Sequence, residues 1–240
     1  MGLLAMTCKL CGATTALVRR SPVIPRWMYD LLPNDGRNFR IISGVGNEHE
    51  QRSQSGLYDT FACSNCEDRF QKLDDYAAKV LRKTPQVTAS GFDFRSYDYG
   101  KLARFYLSIL WRMHACCLPI ATIDLGAASA PLAQALLGGD EAVLDGYEII
   151  PTCSRHILSM GIMGPRWVEY DAVRYWKLYM PRFQILINIT GQPGSPRFKS
   201  WLMRAGIPLR MLEDTFESGE AEIAAHAIRV NMERKDARRN

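Results

Sequence analysis

The chain has 240 residues, of which 47% are apolar and 23% charged, a composition typical of a globular protein with one large or two small domains. Its formal net charge of +5 is spread along the chain, so it permits contact with a polyanion without requiring it. We expect no secretory signal, because the sequence does not start with a basic segment followed by an apolar one. We expect no membrane-spanning segment, because no long uninterrupted apolar stretch occurs. The odd number of cysteines, seven, together with the lack of a signal, favours a reducing cytoplasm.

The first predicted element is a knuckle-shaped turn in which two residues separate Cys8 from Cys11. A short strand is expected after it, at 15–18. The segment SPVIP at 21–25 is expected to be extended, because each proline fixes its own φ and biases the preceding residue away from the helix. One helical turn is expected over 26–32.

A second knuckle follows an insert. Residues 33–57 are rich in Gly, Asn, Ser, Gln and Arg and predict a loop with a short hairpin around 39–42. Cys63 and Cys66 then open a predicted helix over 66–83, with apolar residues at helical spacing and acidic residues in its first turn. A knuckle, a hairpin and a second knuckle at the start of a helix make up the treble-clef (ββα-like) arrangement.

The two cysteine pairs together predict one zinc site. A closed structural site needs four ligands in tetrahedral geometry, and each C-x2-C turn supplies two thiolates. The pairs are separated by 51 residues, whereas short zinc ribbons have roughly 15–20, so an inserted segment lies between the knuckles. A redox dithiol and buried free thiols are the alternatives. The predicted ligands are Cys8, Cys11, Cys63 and Cys66.

The rest of the chain predicts a linker at 84–95 and then further helices and strands. The longest helix is expected over 97–118, where the apolar residues leave only a narrow polar edge. The other predicted elements are helices at 129–137, 198–204 and 218–234 and strands at 147–150, 167–180 and 183–189. The predicted fold class is α+β, with a treble-clef zinc domain at 1–90 and a mixed helix and antiparallel-sheet domain, of unassigned role, at 91–240.

Four segments resemble bacterial and phage HNH-endonuclease-like proteins. They are CKLCG at 8–12, RSPVIPRWMY at 20–29, FACSNCEDRF at 61–70 and LSILWR at 107–112. In that family the first knuckle is followed by a Ser-His-Ile-Ile-Pro element, and the second opens a helix rich in acidic residues. The resemblance covers roughly residues 6–115 and implies a zinc-held fold with metal-dependent cleavage of nucleic acid.

The sequence departs from the family at its catalytic histidine, because that position is Pro22. The histidine is the base that activates water beside a divalent metal, and proline has no group that accepts a proton. The family's helix carries a histidine after the second knuckle, where this chain has Glu67. Weak replacement candidates are His49, Glu50 and Asp59, which an active enzyme would use with magnesium or manganese. The competing interpretation of His49 is a solvated loop histidine.

A second metal site is a further hypothesis. His114 and Cys116 lie close together on the apolar helix, and Cys153 and His156 form a C-x2-H pair. The competing interpretation, which we favour, is that these cysteines are small core residues.

Candidate nucleic-acid contacts surround the proline element and the insert. In an HNH fold this neighbourhood faces the phosphate backbone, where arginine neutralises phosphates and tryptophan stacks on bases. Surface charge and a buried tryptophan are the alternative interpretation. The candidates are Arg19, Arg20, Arg26, Trp27, Arg37 and Arg40.

The sequence therefore predicts a cytoplasmic HNH-like zinc protein of bacterial or phage type with a degenerate nuclease site. It would bind nucleic acid or a protein partner, in a setting such as phage defence or counter-defence. The alternatives are an active divalent-metal-dependent endonuclease with a relocated base, and an interaction module in which zinc is purely structural.

Overall fold

A computed structural model describes residues 6–31, 39–42, 50–53, 56–83, 86–88, 91–94, 96–153, 161–180 and 183–213. The helices of these residues are α1 (Arg26–Tyr29), α2 (Ser64–Leu81), α3 (Tyr99–Ala115) and α4 (Ser129–Leu137). The strands are β1 (Met6–Thr7), β2 (Thr14–Thr15), β3 (Ser21–Pro22), β4 (Phe39–Ile42), β5 (Glu50–Ser53), β6 (Tyr58–Asp59), β7 (Gln86–Thr88), β8 (Gly91–Phe94), β9 (Glu148–Cys153), β10 (Gly161–Tyr170), β11 (Val173–Met180), β12 (Phe183–Asn188) and β13 (Leu209–Glu213).

The N-terminal part is built from two short antiparallel ladders. Strands β1 and β2 form a hairpin that carries the first knuckle at its tip. Strand β3 pairs with β6, so that Ser21 lies opposite Asp59 and Pro22 opposite Tyr58. The predicted strand at 15–18 begins one residue earlier, and beyond it Leu17 forms a single bridge to Cys63. This bridge brings the first knuckle's hairpin to the start of α2.

Nine strands form one mixed sheet in the order β5-β4-β10-β11-β12-β9-β13-β8-β7. Its pairs are antiparallel except β4 with β10 and β9 with β13. The predicted linker at 84–95 is wrong, because β7 and β8 form a hairpin there and β8 pairs with β13. The predicted helix at 198–204 is also wrong, since only a 3-10 turn at Pro196–Phe198 forms.

Helix α3 lies at the centre of the hydrophobic core. Fourteen of its 17 residues are buried. The core joins α3 to apolar residues of α2 and α4 and to inward-facing residues of β9, β11 and β12, such as Leu178 and Ile185. On the opposite face of the sheet, Leu186 and Tyr175 pack against Phe198 in a second, smaller cluster. The central strands of the sheet are thus covered on both faces.

The structure confirms a mixed α+β fold. The sheet takes strands from both sides of the predicted boundary near residue 90, and the division into domains at 1–90 and 91–240 stays a prediction.

The predicted helix at 218–234 lies outside the described residues. None of the described helices is long and apolar enough to cross a membrane.

Candidate metal centre

The four predicted cysteines meet in one cluster. The sulfur atoms of Cys8, Cys11, Cys63 and Cys66 all lie within 4.8 Å of one another. Cys11 Sγ and Cys63 Sγ, one from each knuckle, are 3.8 Å apart. A tetrahedral zinc tetrathiolate, with Zn–S bonds of about 2.3 Å, has sulfurs separated by roughly 3.8 Å. The cluster is therefore close to the size that one tetrahedral metal ion requires, and these residues can hold such an ion.

Backbone hydrogen bonds shape the first knuckle and tie it to the second. The N–H of Gly12 donates to the Cys8 carbonyl at 2.9 Å, and Gly12 takes the left-handed φ of +74° that this tight turn needs. The N–H of Lys9 donates to the Phe61 carbonyl at 3.0 Å, and the N–H of Cys63 donates to Cys8 Sγ at 3.4 Å. These hydrogen bonds thus help to bring the two cysteine pairs together.

The electrostatics of the cluster favour a bound cation. Burial opposes ionisation of the Cys8 thiol, but the backbone N–H groups of Cys11, Cys63 and Leu10 outweigh it and lower its pKa to about 7. Burial raises the pKa of the Cys63 and Cys66 thiols. Crowded sulfurs of this kind lose their protons readily only when a metal ion compensates the negative charge.

The donor set also indicates the type of site. Four sulfur ligands complete a tetrahedral shell and leave no position for water or substrate, which is the pattern of structural zinc sites. Cys8, Cys63 and Cys66 are buried and Cys11 is exposed. The cluster therefore fits a metal ion that stabilises the fold and does not take part in a reaction.

The first knuckle is docked on the end of α3. Lys9 Nζ donates to the Ala115 carbonyl at 2.6 Å, and the same ammonium lies 3.6 Å from Cys117 Sγ. A cation at the C-terminus of a helix interacts favourably with the partial negative charge there. Asp59 adds a second link, because its Oδ2 accepts a 2.6 Å hydrogen bond from the N–H of Cys117. The metal cluster is thereby fixed to the central helix.

The position of the family's histidine is tied to a buried ion pair. The Pro22 carbonyl accepts a 3.3 Å hydrogen bond from Arg112 Nη1. Arg112 is completely buried, forms a two-pronged ion pair with Asp74 and donates to the Ser108 hydroxyl at 2.8 Å. The neighbourhood of Pro22 thus contains a structural network linking β3, α2 and α3, in which Arg112 Nε alone of the guanidinium nitrogens has no partner among the described residues.

Ser21 and Glu67 lie beside this network. Burial raises the pKa of Glu67, against the weaker opposing effects of the Ser21 hydroxyl and Arg112. The Ser21 hydroxyl faces this carboxyl without a well-formed hydrogen bond, and neither Ser21 Oγ nor Glu67 Oε2 has a partner among the described residues. Glu67 occupies the helix position where the family has a histidine.

Of the three candidate catalytic residues, only Asp59 has a described side chain, and it lies opposite Ser21 in the β3–β6 ladder. Both carboxylate oxygens of Asp59 accept hydrogen bonds from backbone N–H groups, Oδ1 from Thr60 and Oδ2 from Cys117. Glu50 begins β5, of which only the backbone is described, and His49 lies outside the described residues. Asp59 is therefore engaged in holding the β3–β6 ladder to α3.

The candidate arginines differ in their surroundings. Arg19, Arg20 and Arg26 are exposed, and none of the three forms an ion pair with a described residue. Arg20 lies over the ring of Tyr58, 4.6 Å from its centroid. Trp27 is half-buried, with Phe105 stacked on its ring at a centroid separation of 6.2 Å. Arg40 belongs to β4, where side chains are not described, and Arg37 lies outside the described residues.

The described members of the hypothetical second metal site do not form one. Within the described ranges, the four-cysteine cluster is the only group of three or more metal-binding side chains. His114 Nδ1 contacts the Leu125 N–H at 3.3 Å, while Cys116 and Cys153 are buried. His156 lies outside these ranges.

Sequence reasoning missed the roles of Lys9, Tyr58 and Cys117. Lys9 stands between the two cysteines of the first knuckle, so its position in the motif was a usable signal. Nothing local in the sequence indicates that Tyr58 lies opposite Pro22, because this pairing joins residues on either side of the insert.

Compared with known proteins, the chain matches no family model, no curated protein and no solved structure.

Proposed function

We propose that this chain is an HNH-like, treble-clef zinc protein that binds nucleic acid without cutting it. The observation that carries the proposal is the cluster of four sulfurs in a region that also carries exposed arginines, with proline where the resembling family has its catalytic histidine. Zinc is the metal proposed, because four thiolates in tetrahedral arrangement are its usual structural ligands.

The arrangement of elements around the cluster supports the treble-clef assignment. The first knuckle lies on a hairpin, a second short ladder follows, and Cys63 is the N-cap of the 18-residue helix α2. Cys66 lies in the first turn of α2, so two ligands come from a hairpin and two from a helix start. This matches the order of elements expected from the sequence.

The chemistry around Pro22 supports binding over cleavage. Hydrolysis of a phosphodiester needs a base within hydrogen-bond reach of a water molecule and, in this family, an open metal position. Pro22 offers only a carbonyl, which already accepts from Arg112. Asp59, the described carboxylate nearest in the ladder, accepts hydrogen bonds from two backbone N–H groups.

The charge of the same region supports an anionic ligand. Residues 6–31 contain Lys9, Arg19, Arg20 and Arg26 but only one carboxylate, that of Asp30. Exposed, unpaired arginines attract phosphates and release their counterions on binding.

The proposal is tested by binding and cleavage measured on the same full-length protein. Labelled DNA and RNA oligonucleotides are expected to bind with an affinity that falls as salt is raised, and Arg26→Gln is expected to weaken binding to all sequences alike. Arg174→Gln, at an exposed arginine on β11 paired with Glu169, is the matched control.

Cleavage is assayed with the same oligonucleotides and with plasmid DNA, in magnesium and in manganese. We expect no cleavage above a metal-free blank. Robust cleavage that is lost in His49→Ala would overturn the proposal in favour of an active nuclease. Absence of salt-dependent binding would overturn it in favour of a protein-interaction module.

A further inference from the structure

We infer that the nucleic acid bound is single-stranded, and that it lies on a cationic surface that we call the hairpin surface. This inference rests on the proposed function and names the class of its ligand. The hairpin surface is formed by Arg19, Arg20 and Tyr58 at the β3–β6 ladder.

Pairing within the β3–β6 ladder holds this surface together. Pro22 lies opposite Tyr58, and Arg20, two residues before Pro22, covers the Tyr58 ring. Successive residues of a strand point to opposite faces, so the side chain of Asp59, which accepts from the Cys117 N–H, projects away from this surface toward the end of α3.

The charge of the hairpin surface is largely uncompensated. Arg19 and Arg20 are exposed and form no ion pair with a described residue. The Thr60 hydroxyl donates to the Arg19 carbonyl at 3.0 Å, which fixes the backbone from which both arginines project. Asp59, the carboxylate next to Tyr58 in β6, has both oxygens on backbone N–H groups. A phosphate chain can approach without meeting a free acidic side chain.

The Arg20–Tyr58 pair supplies a platform for an unpaired base. The guanidinium carbon of Arg20 lies 4.6 Å from the centroid of the Tyr58 ring, directly over it. Single-stranded nucleic acids are bound by stacking their bases on aromatic rings and on arginine planes. A base within a duplex has both faces covered by its neighbours, so it cannot use such a platform.

The described helices offer nothing suited to a duplex groove. Duplex readers usually insert a helix with a cationic face into the major groove. Helix α1 has only four residues, α3 is buried on nearly all sides, and α4 contains no charged residue. The outer face of α2 mixes acids with bases, as Asp68 and Asp75 lie near Arg69 and Lys72. The platform and the helices both favour a single strand.

The direct test compares a fluorescently labelled single-stranded oligonucleotide with the duplex of the same sequence, by anisotropy at matched salt. We expect the single strand, as DNA or RNA, to bind at least about tenfold more tightly, because stacking adds to the phosphate contacts only there. Equal or tighter binding of the duplex would overturn this inference and leave the proposed function standing. If neither form binds at low salt, the proposed function itself fails.

Two variants separate stacking from charge. Arg20→Lys keeps the positive charge but removes the planar group, and Tyr58→Leu keeps an apolar side chain but removes the ring. Each is expected to weaken binding of the single strand roughly fivefold or more while changing duplex binding little. Arg174→Lys, on β11, is the matched control. If Arg20→Lys binds the single strand as the unmodified protein does, the surface attracts phosphates without stacking bases and the inference is wrong.

Discussion

The part of the chain around the metal cluster and the centre of the sheet are ordered by different forces. We call residues 6–31 and 56–66 the knuckle module. Its strands are two residues long, and both residues of β1 and of β2 are exposed, whereas all six residues of β12 are buried. Short exposed ladders bury little apolar surface and so gain little from the hydrophobic effect. The knuckle module therefore depends on its metal ligands and on docking, while the sheet depends on burial.

Docking buries apolar residues of the knuckle module in the core around α3, where Phe61 lies edge-on to Trp111, and adds a few polar contacts. Lys9 binds the Ala115 carbonyl, Asp59 binds the N–H of Cys117, and Arg112 binds the Pro22 carbonyl. Each contact joins the knuckle module to α3 or its C-terminal end. The comparison teaches that the central helix is the common support, and that a defect in one region is transmitted to the other through these contacts.

The largest expected effect follows from removing a metal ligand. Cys63→Ser is predicted to abolish zinc binding, which in zinc-finger peptides contributes roughly 10 kcal/mol of apparent free energy. Serine is itself a good N-cap, so α2 keeps a favourable start and the loss is confined to the metal. Zinc content should fall from one equivalent to none, and amide hydrogen exchange should become fast in 6–31 while β12 stays protected.

Cys117→Ser is the control for this variant, since its exposed thiol lies outside the cluster. It should keep one equivalent of zinc and unchanged exchange. If Cys63→Ser retained zinc, or if exchange in β12 rose as much as in 6–31, the two regions would not be ordered by different forces.

A smaller effect is expected from breaking the buried ion pair between α2 and α3. Arg112→Met leaves the Asp74 carboxylate buried and uncompensated, which typically costs about 3–5 kcal/mol. Urea unfolding followed by circular dichroism measures the loss. The double variant Arg112→Met/Asp74→Leu should recover much of it, because no charge is then left unpaired.

An exposed ion pair of the same chemistry provides the matched control. Arg82 and Asp30 are joined at 2.9 Å, but their side chains are 46% and 60% exposed. Arg82→Met should therefore cost about 1 kcal/mol or less. A comparable loss in both variants would mean that burial does not set the energy of the Arg112 pair.

A still smaller, pH-dependent effect is expected at the start of α3. The Asp98 carboxylate accepts a 2.9 Å hydrogen bond from the N–H of Lys101, so Asp98→Ala should cost about 1 kcal/mol near neutral pH. Slight burial opposes ionisation of Asp98, but its contacts with Lys101 outweigh this and lower its pKa. A carboxyl with a lowered folded-state pKa stabilises the fold above its unfolded pKa and loses that contribution as pH falls through the folded value.

Thermal unfolding of both proteins as a function of pH measures this prediction. The difference in stability between them should shrink as the solution is acidified below the pKa of Asp98. Asp98→Asn separates charge from capping, since it keeps a hydrogen-bond acceptor and should be less destabilising than Asp98→Ala. A difference that grew on acidification would contradict the sign of the shift.

The sequence was sufficient where the signal was local. The spacing of four cysteines predicted a cluster that the fold assembles, and the helix predicted over 129–137 is α4, which has Pro131 in its first turn and ends before Gly138. Helix bounds follow from residues that cannot continue a helix, which are visible in any single segment.

The sequence was insufficient where the partner lay far along the chain. Strand β8 pairs with β13, more than 100 residues later, and hydrophobic periodicity does not identify such a partner. Arg112 was placed on an apolar helix, but its pairing with Asp74 needs the packing of α2 on α3. For the same reason the pairing of Tyr58 with Pro22, and hence the hairpin surface, could not be predicted.

The smallest expected effect lies in the sheet and has the opposite sign. Asp171 and Ala172 join β10 to β11 in a two-residue turn, with φ values of 52° and 61°. The left-handed region strains an alanine but not a glycine, so Ala172→Gly should stabilise the protein by about 0.5–1 kcal/mol, measured by urea unfolding. Ala133→Gly, within α4, is the control of opposite sign and should destabilise by about the same amount. Because neither change lies in the knuckle module, zinc content should stay the same in both variants. A loss of zinc in Ala172→Gly would mean that a change in the sheet alters the metal centre, which contradicts the view that the two regions are ordered by different forces.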